Sequence, residues 1–203
     1  MICRYRCHAI CAMLIGVVSL STASSQAAVL WDEAVNGDLS NDRLSPTAFV
    51  LPAGTSSLIG GVEHGELDYV TVRVLPGQQF VALVLASFVG NDLTGFIAIQ
   101  SGTTFTAAPP FPNPNTLLGY AHFGPGGTFG AQVGNDLFYA MSKASGAIGF
   151  SSPLSSGDYS FWIQQTGEHT DYQFDFIVVP EPASLFTAGC GIAGLLLLSR
   201  RRK

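Results

Sequence analysis

Residues 69–74 read Tyr-Val-Thr-Val-Arg-Val, and this alternation fixes what the segment can become. A period of two puts Val70, Val72 and Val74 on one side of an extended strand and Tyr69, Thr71 and Arg73 on the other. Wound into a helix, the same residues would scatter the valines around the axis. Further runs of this kind recur between turn signals. Ser57-Leu58-Ile59-Gly60-Gly61-Val62 is one, and Gly95-Phe96-Ile97-Ala98-Ile99-Gln100 is another. Tyr159, Phe161 and Ile163 share one face of a later strand, with Ser160, Trp162 and Gln164 opposite. Tyr172, Phe174, Phe176 and Val178 share a face of the last. Residues 80–88 are almost continuously apolar, which predicts a strand in the middle of a sheet, and residues 137–141 predict a shorter strand. Leu75-Pro76-Gly77-Gln78 and Asn91-Asp92 are turns. No apolar stretch between Ala28 and Val179 keeps a helical period for a dozen residues. The expected class is all-β, a single antiparallel β-sandwich.

Both ends of the chain lie outside this pattern. Arg4 and Arg6 precede an apolar run over residues 9–20, and Ser25-Gln26-Ala27 approximates a small-x-small cleavage site. This is the layout of a secretory signal peptide over residues 1–27, cut by signal peptidase. At the other end, Val179-Pro180-Glu181-Pro182 leads into uncharged residues 183–199, then Arg200-Arg201-Arg202-Lys203. As a helix the uncharged run reaches about 26 Å, at the short end of what spans a ~30 Å hydrocarbon core. The four terminal cations predict a cytoplasmic C-terminus. Pro180 and Pro182 resist helix and leave an extended peptide outside the membrane. Gly189, Gly191 and Gly194 fall in a membrane segment and favour close helix packing, not nucleotide binding.

Motif, apolar helix and basic stop in this order resemble the PEP-CTERM sorting signal of Gram-negative bacteria. The resemblance covers residues 179–203 only. It implies a sorting motif at Val179, Pro180, Glu181 and Pro182, and a basic stop at Arg200, Arg201, Arg202 and Lys203. It also implies recognition by exosortase, an integral-membrane cysteine transpeptidase. The protein would cross the inner membrane, be anchored there briefly, and pass to the cell surface or extracellular matrix.

Between the two ends lies one domain, residues 28–178. Cys3, Cys7 and Cys11 fall in the signal peptide and Cys190 in the tail, so this domain has no disulfide and must be held by its core alone. Its strong cations are Arg43, Arg73 and Lys143, against thirteen carboxylates, a net charge of about −10. Such a body repels polyphosphate, which excludes nucleic acid as a partner.

Leu58-Ile59-Gly60-Gly61-Val62, Leu67-Asp68-Tyr69-Val70-Thr71-Val72 and Leu75-Pro76-Gly77 form a series. Gly157-Asp158-Tyr159-Ser160-Phe161-Trp162-Ile163 and Tyr172-Gln173-Phe174-Asp175-Phe176 complete it. In order and spacing the series resembles the bacterial pre-peptidase C-terminal domain, a jelly-roll-like β-sandwich found beside secreted hydrolases. That resemblance implies a non-catalytic accessory or binding module. The chain departs from it with a proline-rich insertion, Pro109, Pro110, Pro112 and Pro114, and with the lack of a catalytic domain alongside.

No catalytic pattern emerges. His64, His122 and His169 sit in no H-E-x-x-H arrangement, and there is no G-x-S-x-G elbow. Glu168-His169 with Asp171 falls at a hairpin tip, where solvated polar residues are ordinary. The expectation is that the protein is not an enzyme and needs no cofactor, with calcium the one to weigh. Asp32, Glu33, Asn36, Asp38, Asn41 and Asp42 lie close together, and calcium takes several oxygen ligands. Asp32, Asp38 and Asp42 are the candidate metal residues. The order matches no EF-hand, and a solvated acidic segment is the alternative. The expected function is structural or adhesive binding, with polysaccharide as the candidate ligand. A calcium-dependent carbohydrate-binding or accessory module comes second, and a secreted hydrolase is a distant third.

Overall fold

The computed structural model describes residues 27–110 and 112–182. All but the last residue of the signal peptide expected over residues 1–27, and the expected apolar tail and basic stop, lie outside these described residues. Among the described residues, no helix is long and apolar enough to cross a membrane.

Among the described residues, nine strands form two sheets. They are β1 (Ala28–Asp32), β2 (Thr47–Leu51), β3 (Gly54–Val62), β4 (Leu67–Val74), β5 (Gln78–Gly90), β6 (Gly95–Ser101), β7 (Gly119–Phe123), β8 (Gly157–Gln164) and β9 (Thr170–Pro180). One sheet has the order β1-β3-β9-β5, the other β2-β4-β8-β6-β7. The all-β expectation holds. Strict antiparallel pairing does not, because β1 pairs parallel with β3 and β2 parallel with β4. The cause is the path of the chain. It crosses from one sheet to the other after each of the first four strands, so alternate strands return to the same sheet in the same direction. The remaining pairings are antiparallel.

The core lies between the sheets, and the period-two faces meet there. Val70, Val72 and Val74 face Leu58, Phe80, Leu83, Phe174 and Phe176, all buried. Phe161 packs against Phe80 and Phe176, with ring centroids 6.4 and 5.8 Å away. Phe174 sits 5.1 Å from Phe123 in an edge-on contact. Edge-to-face aromatic pairs add to area burial, and here they tie β5, β7, β8 and β9 together.

Two local expectations are overturned. Residues 137–141 are not a strand but a short helix, α2 (Leu137–Met141). The Asp136 carboxylate decides this, accepting from Phe138 N at 3.1 Å as an N-cap and from Leu83 N at 3.0 Å. Residues 80–88 are not central in their sheet, because β5 is at its edge. Their apolar character has another origin. The chain around α2 covers that edge, through bridges from Val84 to Asp136 and from Phe80 to Leu154, so Phe80, Leu83 and Leu85 are buried while Val81, Ala82, Val84, Ala86 and Phe88 are half-buried.

A second, smaller core lies on the outer face of the five-stranded sheet. Trp162, Tyr69 and Ala98 are covered there by Phe105, Ala107 and Leu117 from the connection between β6 and β7. Gln100 anchors this cover, since its Oε1 accepts from Thr106 N at 2.7 Å and its Nε2 donates to Thr116 O at 2.7 Å. The proline-rich insertion is thus partly a lid over sheet residues that would otherwise be exposed.

Candidate functional site

The acidic segment after β1 folds back on the sheet. Asp32 caps a four-residue helix, α1 (Glu33–Asn36), its carboxylate accepting from Ala34 N at 3.0 Å. Gly37, at φ +88°, ends the turn in a conformation that disfavours a side chain. The reversal brings Asp38 towards Glu33. Glu33 is held by two backbone donors, Leu39 N to Oε1 at 3.0 Å and Gly61 N to Oε2 at 2.7 Å. Beneath them is Asp68 at the start of β4, fully buried. Its Oδ2 accepts a 2.6 Å hydrogen bond from the Tyr172 hydroxyl of β9 in the opposite sheet. Its Oδ1 is buried without a partner among the described residues. One carboxylate oxygen each from Glu33, Asp38 and Asp68 lies within 4.8 Å of the others.

The cleft above is about 530 Å³ and is walled by Asp32, Glu66, His169 and Asp171. Gly60 and Gly61 floor it for a steric reason. A Cβ on Gly60 would meet the Tyr172 hydroxyl at 2.6 Å and Glu33 Oε2 at 3.0 Å. Burial pushes the Asp68 carboxyl up to about 8, against the opposing Tyr172 hydrogen bond and with help from the charges of Glu33, Glu66 and Asp38. Glu33 is raised by burial too, less its two backbone bonds. Glu66 is raised by burial and by Asp38. Tyr172 is raised well above the usual phenol range by burial and by Asp68.

Of the three metal residues expected from sequence, only Asp38 joins this convergence. Asp32 serves as a cap at the wall, and Asp42 accepts from Leu44 N at 2.9 Å in the following turn. Glu33 and Asp68 complete the set. Asp68 could have been found, because it falls in phase with Val70, Val72 and Val74, a carboxylate on the inward face of a core strand.

A second concavity lies at the open end of the proline lid. It is about 320 Å³ and is lined by Phe96, Tyr120, His122, Trp162 and Gln164 of the sheet and by prolines of the lid. Phe96 is its centre, 5.0 Å from Trp162 and 6.1 Å from Tyr120 between ring centroids. Among the described residues, no lining residue is a carboxylate, lysine or arginine. The Trp162 Nε1 donor is buried without a hydrogen-bond partner among the described residues.

The residues expected to form the sorting motif begin within β9. Val179 and Pro180 are the last residues of β9, opposite Gln79 and Gln78, and Glu181 N donates to Gly77 O at 2.8 Å. Only Pro182 is wholly past these contacts. His64 Nδ1 lies 2.7 Å from Thr166 O, and His169 pairs with Asp171 at 3.0 Å on the surface. Compared with family models, with curated proteins and with solved structures, the chain matches none.

Proposed function

We propose that this is an exported protein of the cell surface or extracellular matrix, delivered by exosortase, whose work is non-catalytic structural or adhesive binding of polysaccharide. The observation that carries the binding role is the uncharged aromatic groove on an otherwise acidic body. Aromatic faces stack on the C–H faces of sugars, while the His122 and Gln164 side chains are placed to exchange hydrogen bonds with hydroxyls. A volume near 320 Å³ suits one or two sugar units. A jelly-roll reading of the sandwich is supported by the orders β3-β9-β5 and β4-β8-β6-β7, with the α2 segment beside β5 where a further strand would lie.

The test is a glycan array probed with the exported protein and with Phe96→Ala and Gln164→Ala. Neutral glycans should be retained by the wild type and lost by both variants. Retention of no glycan, or equal retention by all three proteins, would refute the groove as the binding site. The calcium-dependent form of the module is favoured by a separate observation, the convergence of Glu33, Asp38 and Asp68.

A further inference from the structure

We propose that Glu33, Asp38 and Asp68 form a binding site for one calcium ion. This deepens the calcium-dependent reading and is tested without a glycan, so either can fail alone.

Three oxygens no more than 4.8 Å apart share a centre about 2.8 Å or less from each, close to calcium–oxygen bonds of 2.3–2.6 Å. Magnesium, at 2.0–2.1 Å in a strict octahedron, would need a larger contraction. The donors are all carboxylate oxygens, with no thiolate or imidazole in the set, which selects a hard cation.

The independent sign is Asp68 Oδ1. A buried carboxyl oxygen with no hydrogen-bond partner is costly in either protonation state, and the described residues offer Oδ1 none. Tyr172 satisfies only Oδ2. A cation between the three carboxylates supplies the missing partner and removes the repulsion that Glu33, Asp38 and Glu66 impose on Asp68. The supporting shell already exists. Leu39 N and Gly61 N orient Glu33, and Tyr172 orients Asp68. Gly60 keeps the strand bare where Tyr172 and Glu33 approach it. Further carboxylates at Glu66 and Asp171 line the cleft mouth and attract the ion.

The experiment is a titration of chelator-treated protein with calcium chloride alone, and with magnesium chloride at matched ionic strength, read by calorimetry and thermal melting. Expected are a saturable heat at one ion per chain in the range of about 10⁻⁴–10⁻³ M typical of extracellular sites, a melting temperature raised by a few degrees, and a weaker response to magnesium. Asp68→Asn should abolish saturation, while Asp42→Asn should bind as the wild type does. If Asp68→Asn does not fold, Glu33→Gln in the same titration decides. Wild-type affinity in the folded variant, or no saturable heat from the wild type at about 10 mM calcium, well above that range, would overturn the site.

Discussion

The Tyr172 hydroxyl donates to Asp68 Oδ2 at 2.6 Å, joining residues 104 positions apart in sequence and one from each sheet. The bond joins the two sheets and fixes the orientation of a buried carboxyl that lies beside Glu33 and Asp38 and whose other oxygen has no donor among the described residues. Its protonation therefore couples to folding.

In metal-free solution, stability should fall as pH rises through the window set by Asp68. Burial pushes the carboxyl from its ordinary value of 3.8 up to about 8 in the folded chain. Between these values the folded state holds more protons, so the contribution is complete below about pH 4 and is lost on the way to about pH 8. Urea midpoints measured across that range in chelator should decline, and Asp68→Asn should flatten the decline. A wild-type midpoint independent of pH would contradict the assignment.

Truncating either central phenylalanine should be severe. Phe161 and Phe174 are almost fully buried, each in contact with rings from other strands. Phe161→Ala and Phe174→Ala should each cost ~3–5 kcal/mol, a large part of ordinary domain stability. A melt of either variant that superimposes on the wild type would show that these faces do not form the core.

Asp136→Ala should cost about 1–2 kcal/mol, because it removes the cap of α2 and leaves the Leu83 N–H without its acceptor. Denaturant titration reads the loss. Asp136→Asn keeps an oxygen in place and should recover most of it, an outcome that a purely electrostatic role for Asp136 would not give.

Processing is read by intact mass. The surface-extracted protein should lack residues 1–27 and most of residues 183–203. Val179 and Pro180 are paired with β5, and Glu181 is tied to Gly77, so cleavage is expected beyond Glu181, past these contacts. Glu181→Ala with Pro182→Ala should leave the protein in the inner membrane. A matrix fraction carrying an intact C-terminus would rule out the sorting reading.

The strands β3, β4, β5, β6, β8 and β9 were legible because alternation is a local property, whereas the short strands β1, β2 and β7 carry too few residues to show it. The alternation at residues 69–74, the faces of Phe161 and Phe174 and the inward phase of Asp68 all follow from a period of two. Sequence placed Trp162 on the face opposite Phe161, but only the fold shows that Phe105 and Leu117 bury it. Residues 137–141 misled because five apolar residues fit a strand or a helix turn equally, and the Asp136 cap chose the helix through a bond to distant Leu83. The parallel edges depend on how often the chain crosses between sheets, which no single segment encodes. The acidic site shows the same division. Sequence located the oxygen-rich segment after β1 that holds both Glu33 and Asp38, though it named only Asp38 of the two as a ligand. Tertiary packing alone brought Glu33 and Asp38 over Asp68, and Tyr172 beneath them, because pairing between strands distant in the chain is set by which apolar faces can be buried together.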